Sequence, residues 1–478
     1  MRNQYRFLAR IVIEAISPLN IGSGKKGIKT DSLVLRDANG LPFIPGTTIA
    51  GLLRHSYTVE RKEGENEKEF KKKLEDLREP LMGSQNLGSP LIITEAKMLD
   101  SDGTVLDGID IQERLNNNAF LDHFRELPIR QHAKINHRGT TEKGDKFDEE
   151  IVLKGTRFCF EMEMLSDNDD ESEFKHFIKA LNSETFRVGS GSRAGFGEIK
   201  IVQEHCQYKT IDFAIPKQKD WYLKKSSSLC QPWDDADDEF PLAEEASSVW
   251  TNYELELQPI DFMLFGSGLS NDKADMTYVR ESFVDWSNGT AEIKKKESVV
   301  LIPASSIKGA LSHRLAFYYN KLSKVYADKL PDRKKLDDFV GKNNEAVKSI
   351  FGSEGEKDAD GKMKNKLRGN VLISDIIQKG NNISSKVLNH VSIDRFTGGA
   401  IDGALFNEEV LYTKGMTFNL KLMANSAALK AKYFEQAFEE AMKDICRGML
   451  PLGGGVTRGN GCFEGKLYKN GELIYANN

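Results

Sequence analysis

IPGTTIAG, at residues 44–51, returns as IPASSIKG at residues 302–309. Both stretches run isoleucine, proline, a small residue, two hydroxyl residues, isoleucine, one variable residue and glycine. Three other landmarks repeat in the same order: Gly22-Ser23-Gly24 with Gly266-Ser267-Gly268, a Gly-Ser pair at 83–84 and 352–353, and glycine runs at 189–197 and 453–461. Such a repeat indicates two copies of one domain, and therefore two copies of one site.

The chain is long enough for both copies to fold independently. Of its 478 residues, the repeat assigns 1–214 to the first domain and 249–478 to the second. Each copy has roughly 220 residues, enough to bury its own core. Residues 215–248 contain prolines, a serine triplet and an acidic run, which predicts a linker.

The apolar pattern predicts the same element order in each copy. In the first copy it gives a strand at 7–16, a helix opening at Thr47 or Thr48, strands at 90–94 and 157–165, a helix near 174–181 and a last strand at 198–202. The second copy repeats this order. Strand, helix, two strands, helix, strand is the ferredoxin-like pattern, so we expect an α+β protein of two tandem βαββαβ domains. Polar segments at 131–151 and 390–410 are predicted as projecting hairpins.

Charge is distributed unevenly along the chain. The net charge is −5, but acidic residues concentrate in 166–173 and 231–248, which carry no basic residue. The repeated motifs are basic, which favours a polyanion partner, although ordinary solvated charge explains the same pattern. Five scattered cysteines lack metal-site spacing, and no segment is apolar enough to span a membrane. We therefore expect a cytoplasmic protein with free thiols and no membrane partner.

The two glycine runs resemble phosphate cradles. Bare amides approach a phosphate closely there, and each run carries one arginine, Arg193 or Arg458. A nucleotide-binding Rossmann loop is excluded because each run follows a helix and opens a strand. A tight turn that requires positive φ is the alternative explanation.

The Ile-Pro motif opens a predicted helix. Thr48 and Ser306 are expected to cap it, and its first amides favour an anion. Capping alone would also explain the hydroxyls. The candidate RNA contacts of this region are Gly22, Ser23, Gly24, Thr47, Thr48, Arg54, Ser305, Ser306, Lys308 and Arg314.

Asp31 and Asp275 follow the two GSG loops at the same spacing. One loop carboxylate in a basic setting can hold a divalent metal or orient a ribose hydroxyl towards the neighbouring phosphate. An Asx-turn is the structural alternative, and Asp272 competes with Asp275 in the second loop. His55 and His313 also align and are candidate general acids, or residues on the polar side of their helices.

A family resemblance connects these motifs. Residues 389–400 (NHVSIDRFTGGA) and 403–410 closely resemble the signature of RAMP-superfamily backbone subunits of type III CRISPR effector complexes. The loop with Asp31, the Ile-Pro motif and the run at 187–197 look like the same family. The match covers both copies, and a chain with two such domains is similar to the double backbone subunit of type III-D variant complexes.

The resemblance implies a fold, an activity and partners. It implies RRM-like palms that carry guide CRISPR RNA and hairpin thumbs that interrupt the guide–target duplex. It also implies metal-dependent cleavage of complementary target RNA beside each thumb, with Asp31 and Asp275 as catalytic residues and ligands of Mg²⁺ or Mn²⁺. The implied partners include other backbone, cap and small subunits.

The match is uneven between the copies. The second loop lacks the usual small, glycine-rich run after Gly268, and the first thumb signature is degraded at 134–141. The implied thumb residues are His137, Arg138, Phe396, Thr397 and Phe406, with Arg395 contacting RNA.

Three functions remain open at this point. The chain is a guide-binding backbone subunit that cleaves target RNA, a non-catalytic RNA-binding scaffold, or a metal-independent guide-processing endoribonuclease that uses His55 or His313. EDTA sensitivity separates the first from the third, and Asp→Ala variants separate the first from the second.

Overall fold

The structure is a computed structural model. It describes residues 3–27, 30–59, 66–109, 112–116, 118–137, 139–236, 239–242, 249–295, 299–330, 336–357, 363–379 and 383–477. Arg138 of the predicted first thumb lies outside the described residues.

The first copy and the predicted linker together contain eight strands and six helices in the described residues. Their bounds are β1 Tyr5–Ala15, α1 Gly46–Ser56, α2 Glu67–Met82, β2 Leu91–Ile93, β3 Lys97–Met98, α3 Gln112–Leu115, α4 Ala119–Arg125, β4 Ile129–Ile135, β5 Thr141–Glu150, β6 Arg157–Ser166, α5 Ser172–Leu181, β7 Ile199–Ile201, β8 Gln207–Asp212 and α6 Pro216–Lys224.

The first sheet is antiparallel, with the order β2-β6-β1-β7. In addition, β3 pairs with β6 and β8 with β1. Helices α1 and α5 place Ile49, Leu53, Phe174 and Phe177 in the core that β1 also lines. This confirms the predicted α+β class, and the strand order is the one expected when each βαβ unit is split by an antiparallel strand.

Part of the predicted linker packs against the first sheet. Helix α6 follows β8, and Trp233 is buried against Leu8 of β1 and Ile211 of β8. This explains why β1 is buried on both faces, although one-sided alternation is usual in antiparallel sheets.

The second copy follows the same plan. Its elements are β9 Trp250–Pro259, β10 Phe262–Met263, β11 Phe283–Asp285, β12 Glu292–Lys294, β13 Val299–Ile302, α7 Ala304–Leu322, α8 Leu336–Phe339, α9 Glu345–Phe351, β14 Glu356–Lys357, β15 Met363–Lys364, β16 Val371–Ile373, β17 Ile376–Lys379, β18 Ser384–Ile393, β19 Ala400–Tyr412, β20 Phe418–Asn425, α10 Ser426–Leu429, α11 Phe434–Cys446, β21 Phe463–Lys469 and β22 Glu472–Ala476.

The second sheet has the order β16-β20-β9-β21-β22. Its first four strands reproduce the first sheet, and β22 extends the edge through a hairpin with β21. Helices α7 and α11 supply Ile307, Leu311, Phe438 and Met442 to one core. None of the helices in the described ranges is long and apolar enough to cross a bilayer.

Two hairpins leave the sheets. We call β4–β5 the first thumb and β18–β19 the second thumb. Most side chains of the second thumb are exposed between 384 and 405, as predicted. The first thumb lies against the second copy: Lys134 Nζ donates to Glu354 Oε1 at 2.8 Å, and Arg130, at the start of β4, is buried.

The predicted caps of α1 and α7 are wrong. The N-cap residues are Pro45 and Pro303, and neither helix has a side-chain cap of the usual kind. The backbone N–H groups of Thr48 and Ser306 donate to the carbonyls of these prolines at 2.9 and 3.1 Å. At α7 the Ala304 N–H donates to Asp375 Oδ1 at 2.8 Å, so a residue distant in sequence satisfies the helix end.

Candidate functional site

The two aspartate loops run beside their own thumbs in the same register. Ser32 bridges Glu149, and Met276 bridges Glu408, both in parallel. The Asp31 N–H donates to Asp148 Oδ1 at 2.8 Å, and the Asp275 N–H donates to Asn407 Oδ1 at the same distance. Asp31 and Asp275 are therefore geometric equivalents.

Asp272 does not share this geometry. It is exposed on the turn that Asn271 closes by accepting from the N–H groups of Lys273 and Ala274, both at 2.8 Å. Asp275, three residues later, is the residue that contacts the thumb. The arrangement favours Asp275 over Asp272 as the second candidate.

The carboxylates of the two loops differ in their contacts. Asp275 Oδ2 accepts the Asn407 N–H at 2.9 Å, which closes a two-bond ring. Asp31 is half exposed, and its Oδ1 lies 3.5 Å from Lys26 Nζ. Because Asp148 replaces the asparagine, the first loop has a second carboxylate beside Asp31.

Sequence reasoning missed Asp148 and Asn407 as functional candidates. The available signal was the repeated FDEE at 147–150 and FNEE at 406–409. In each motif the second residue, Asp148 or Asn407, accepts a hydrogen bond from the aspartate loop. The alternation of a strand does not predict this contact.

A His–Glu–Phe group stiffens each thumb base. His132 stacks on Phe147 with 4.9 Å between ring centroids, and its Nε2 lies 3.0 Å from Glu149 Oε1. In the second copy, His390 stacks on Phe406 at 4.9 Å and lies 3.1 Å from Glu408 Oε1. The strands that hold the aspartate loops, β5 and β19, are therefore held by the same His–Glu–Phe contacts in both copies.

The glycine runs are tight turns. Gly189 and Gly453 have φ of 86° and 91°, and a Cβ on either would overlap the carbonyl oxygen of Asn20 or Leu264. Gly191 and Gly455 likewise face Phe196 and Asn460. These contacts align Arg193 with Thr457 and Arg458 with Ala194, so each run carries an arginine but the two arginines occupy different positions in the turn.

Arg193 reaches the second copy and joins two other cations there. Its Nε donates to the Gly369 carbonyl at 2.8 Å. Burial, followed by repulsion from Arg368 and Arg187, lowers the pKa of Arg193 to about 10. Burial and Arg193 also lower the pKa of Lys308. We call Arg193, Lys308 and Arg368 the joint cations.

The joint cations have little local compensation. Arg193 Nη1 is buried without a hydrogen-bond partner in the described structure. Glu354 favours the charged form of Lys308, but its Oε1 already accepts from Lys134 Nζ. An excess of positive charge at one place, with Arg193 and Lys308 partly buried and Arg368 exposed, favours binding of an anion.

Other predicted RNA-binding arginines contact protein groups. Arg458 Nη2 donates to Glu408 Oε2 at 2.6 Å, and Glu408 is completely buried. Arg314 Nε donates to Asp444 Oδ2 at 2.6 Å, which ties α7 to α11. Arg54 donates to the Gly83 carbonyl at 2.8 Å and also pairs with Glu75.

The remaining loop and helix candidates lie as follows. Gly22 forms an isolated β-bridge with Val34, and Gly266 forms one with Tyr278. Each GSG loop is therefore paired with the residues that follow its aspartate. Ser23 Oγ accepts the Lys25 N–H at 3.3 Å, and Gly24 closes the loop with a φ of 74°. Thr47 is exposed, whereas Thr48, Ser305 and Ser306 are half-buried.

The two candidate histidines differ in environment. His55 is exposed on α1. His313 Nε2 lies 3.2 Å from the Ile135 carbonyl oxygen of the first thumb, and Gly341 lies near both His313 and His137. His313 therefore belongs to a contact between the two copies.

The tip of the second thumb presents an aromatic ring. Asp394 Oδ1 accepts from the N–H groups of Phe396 and Thr397 at 3.0 and 2.7 Å, and from Thr397 Oγ1 at 2.9 Å. These bonds lower the pKa of Asp394. Phe396 is fully exposed, and Arg395 beside it is also exposed.

Other kinds of site have less support. The described residues hold no group of three or more His, Cys, Asp or Glu side chains placed to bind a metal. Burial raises the pKa of the Cys159, Cys206 and Cys446 thiols to about 12, which makes them poor nucleophiles. Metal binding at the aspartates would need donors from a bound ligand.

Comparisons with known proteins agree with the duplication. A family model described as the RAMP superfamily matches residues 12–200 and 286–464. A protein of Methanocaldococcus jannaschii, described as the CRISPR system Cms endoribonuclease Csm3, is 26% identical to this chain over 255 residues. That alignment spans 50% of this chain and 92% of the relative.

Proposed function

Because this chain belongs to the RAMP superfamily, we propose that it is a guide-RNA-binding backbone subunit of a type III CRISPR effector complex. Each copy would be an RRM-like palm with a thumb. The chain would also cleave complementary target RNA beside each thumb. The similarity to the endoribonuclease of M. jannaschii supports this role.

The observation that carries RNA binding is the cluster of joint cations. Arg193 and Lys308 have lowered pKa values because they are desolvated among other positive groups. A phosphate placed there would restore both the charge balance and the missing hydrogen bond of Arg193 Nη1. A chain with a net charge of −5 would thus contact the guide backbone through a local basic site.

The observation that carries cleavage is the repeated placement of Asp31 and Asp275. Each is exposed and is held to a thumb residue through its backbone N–H. A carboxylate fixed in this way can orient a ribose 2′-hydroxyl for in-line attack on the adjacent phosphate. A thumb that unstacks the duplex would give the target strand the freedom this geometry requires.

The first loop also fits a divalent metal better than the second. Mg²⁺ is usually bound by one or two carboxylates together with substrate phosphates. Asp31 and Asp148 would be those ligands in the first loop, whereas the second offers Asp275 and the amide of Asn407. Mg²⁺ or Mn²⁺ bound there would stabilise charge on the phosphate.

A cleavage ladder tests this function. The complex would be assembled with wild type, Asp31→Ala, Asp275→Ala and the double variant, each with and without EDTA. Each single variant should lose one cut and retain the other, and EDTA should suppress both. Asp272→Ala is the matched control and should leave the ladder unchanged.

The outcomes separate the alternatives. A full ladder from the double variant would leave the chain as a non-catalytic scaffold. EDTA-resistant cleavage of the guide precursor would favour a metal-independent nuclease. Co-purified guide RNA, target RNA and other backbone, cap and small subunits would identify the partners.

A further inference from the structure

We infer that a cleft of the second copy binds one phosphorylated nucleotide. The cleft lies between α9 and residues 367–370 and has a volume of ~470 Å³, within the range of small-molecule sites. We call it the nucleotide cleft; its walls include Asn343, Glu345, Lys348, Leu367, Arg368 and Asn370. Binding of a nucleotide stands by itself, whereas its assignment to an RNA strand rests on the proposed function.

Two cations of the nucleotide cleft are available to a phosphate. Within the described residues, the Lys348 ammonium and the Arg368 guanidinium form no ion pair or hydrogen bond with another group. The carboxylate of the cleft, Glu345, uses one oxygen to accept a hydrogen bond from the Tyr319 hydroxyl at 3.0 Å. These three charges leave one positive charge in excess, and a phosphate can pair with both cations at once.

The walls of the cleft are held in place by the protein itself. The Asn370 side chain donates from Nδ2 to the Ser349 carbonyl oxygen of α9 at 2.8 Å. A Cβ on Gly352, directly after α9, would lie 2.6 Å from the Leu367 carbonyl oxygen, so the segment at 367–370 packs closely against the end of the helix. Because the two walls are already fixed, a ligand does not have to order them.

The other groups in the walls match a nucleoside better than a bare phosphate. The Leu367 side chain is 53% exposed and offers an apolar surface to the face of a base. The Glu345 carboxylate and the Asn370 amide offer hydrogen-bond acceptors to the edge of a base. Inorganic phosphate would occupy the cationic end and leave this part of the cleft unfilled.

The first copy has the same backbone framework at this place. Gly83 follows α2 as Gly352 follows α9, and both have positive φ, 71° and 90°. A Cβ on Gly83 would lie 2.7 Å from the Leu87 carbonyl oxygen, which makes Leu87 the counterpart of Leu367. The connection between these glycines and leucines is longer in the second copy, where it includes β14 and β15.

The charges of the cleft belong to the second copy. Counting from the shared glycine and leucine aligns Lys348 with Glu79 and Arg368 with Gly88. The first copy thus has a carboxylate and a glycine at the two positions that would hold the phosphate. A phosphate track repeated once per domain does not explain this difference, whereas a ligand bound by the second copy does.

Arg368 connects the nucleotide cleft to the joint cations. Arg193 Nε donates to the carbonyl of Gly369, the residue after Arg368, and burial followed by repulsion from Arg368 lowers the pKa of Arg193. A strand with one phosphate at Arg193 and Lys308 would bring an adjoining nucleotide to the cleft. The nucleotide is therefore assigned to bound RNA, with a free nucleoside monophosphate as the other source of the same chemistry.

The test uses the full chain and labelled AMP in equilibrium dialysis, with inorganic phosphate and adenosine as competitors. Lys348→Glu gives the cleft the charge of the first copy, and Arg368→Gln removes the other cation. Lys366→Gln is the matched control, because Lys366 is exposed and lies outside the cleft walls. Melting temperatures of the variants verify folding. Photocrosslinking of RNA in the native assembly, mapped by mass spectrometry, reports whether the nucleotide belongs to a strand.

We expect Lys348→Glu and Arg368→Gln to weaken AMP binding at least tenfold with unchanged melting temperature, and Lys366→Gln to stay within twofold of wild type. Inorganic phosphate and adenosine should each compete at least tenfold more weakly than AMP. A wild-type chain that does not bind AMP would overturn the inference, as would phosphate competing as well as AMP or equal losses in Lys348→Glu and Lys366→Gln.

The crosslinking arm separates the two sources. A crosslink of RNA to residues 367–370 that Lys348→Glu abolishes would assign the nucleotide to the strand. AMP binding without such a crosslink would overturn that assignment and leave a site for a free nucleotide. If the chain proved to bind no RNA, the proposed function would be wrong, and AMP binding would still decide the cleft.

Discussion

At the scale of single residues, Arg193 and Arg458 show that similar motifs can serve different purposes. Arg193 lies among cations with an unsatisfied Nη1, whereas Arg458 neutralises the buried Glu408. The expectation that both bind RNA remains a prediction for Arg193, and the contact of Arg458 predicts a structural role.

The first prediction separates these arginines. Arg193→Gln should weaken RNA binding about tenfold and reduce the salt slope by about one, because one phosphate contact is lost. Arg458→Gln should lower the free energy of unfolding by ~1–3 kcal/mol, because it leaves Glu408 without its cation. Filter binding at several salt concentrations and urea unfolding measure the two effects. Equal loss of affinity in both variants, with unchanged stability, would contradict the assignment.

The second prediction concerns the thumb residues beside the aspartates. Asp148→Ala should reduce the Asp31-dependent cut about tenfold, because Asp31 loses the acceptor for its N–H. Asp148→Asn keeps an acceptor for that N–H, as Asn407 does for Asp275, but removes the second carboxylate, so it should reduce the cut less than Asp148→Ala does. Asn407→Ala should impair the other cut alone. A ladder from these variants checks this, and loss of both cuts in Asp148→Ala would point to a general structural defect instead.

At the scale of elements, the two thumbs are built alike but placed differently. The first lies along α7 and residues 341–354 through His313, Gly341 and Glu354. The second extends its tip, with Phe396 fully exposed. A wedge between bases needs an unpartnered aromatic ring, and Phe396 satisfies this requirement.

The third prediction tests that wedge. Phe396→Ala should leave the free energy of unfolding within ~0.5 kcal/mol, because an exposed side chain is removed. It should also suppress the fluorescence rise of 2-aminopurine placed in the target opposite the thumb. Phe406→Ala is the control. The Phe406 ring stacks on His390 and lies under the Arg458 guanidinium, so this variant should lower the free energy of unfolding. An unchanged fluorescence rise in Phe396→Ala would exclude the wedge.

At the scale of the whole molecule, the joint between the copies contains one arginine and two carboxylates. Burial, and secondly repulsion from Asp375, raises the pKa of Glu281, while Arg130 acts in the opposite direction. The folded protein therefore holds the Glu281 proton more tightly than the unfolded chain does. Stability from this group is present at low pH and is lost as pH rises from the ordinary value of 4.5 through the raised folded value.

The fourth prediction follows from that linkage. Glu281→Gln should flatten the fall in melting temperature with rising pH, and should keep or raise the melting temperature at pH 7 to 8, because the excess buried charge is removed. Calorimetry from pH 5 to 8 measures this, with Glu184→Gln as the exposed control. A lower melting temperature with an unchanged dependence on pH would contradict this prediction. It would show that Arg130 requires the charges of both Glu281 and Asp375.

Sequence predicted the parts that depend on local pattern. Apolar periodicity located β1 and α5 closely, and the repeated landmarks placed both copies in one element order. It failed at the caps of α1 and α7, where the N–H groups of Thr48 and Ser306 donate to the carbonyls of Pro45 and Pro303. It also did not reveal that Arg458 pairs with Glu408, because that partner lies far away in sequence.

That one domain occurs twice follows from the sequence alone, since spacing and periodicity are properties of neighbouring residues. How the copies meet depends on tertiary packing. Arg130, Glu281 and Asp375 are unremarkable charges along the chain, and they become one buried group when the first thumb lies on the second copy. Gly24 and Gly268 have nearly the same φ, 74° and 76°, but different neighbours, because only Gly268 is approached by a side chain of the other copy, Gln131.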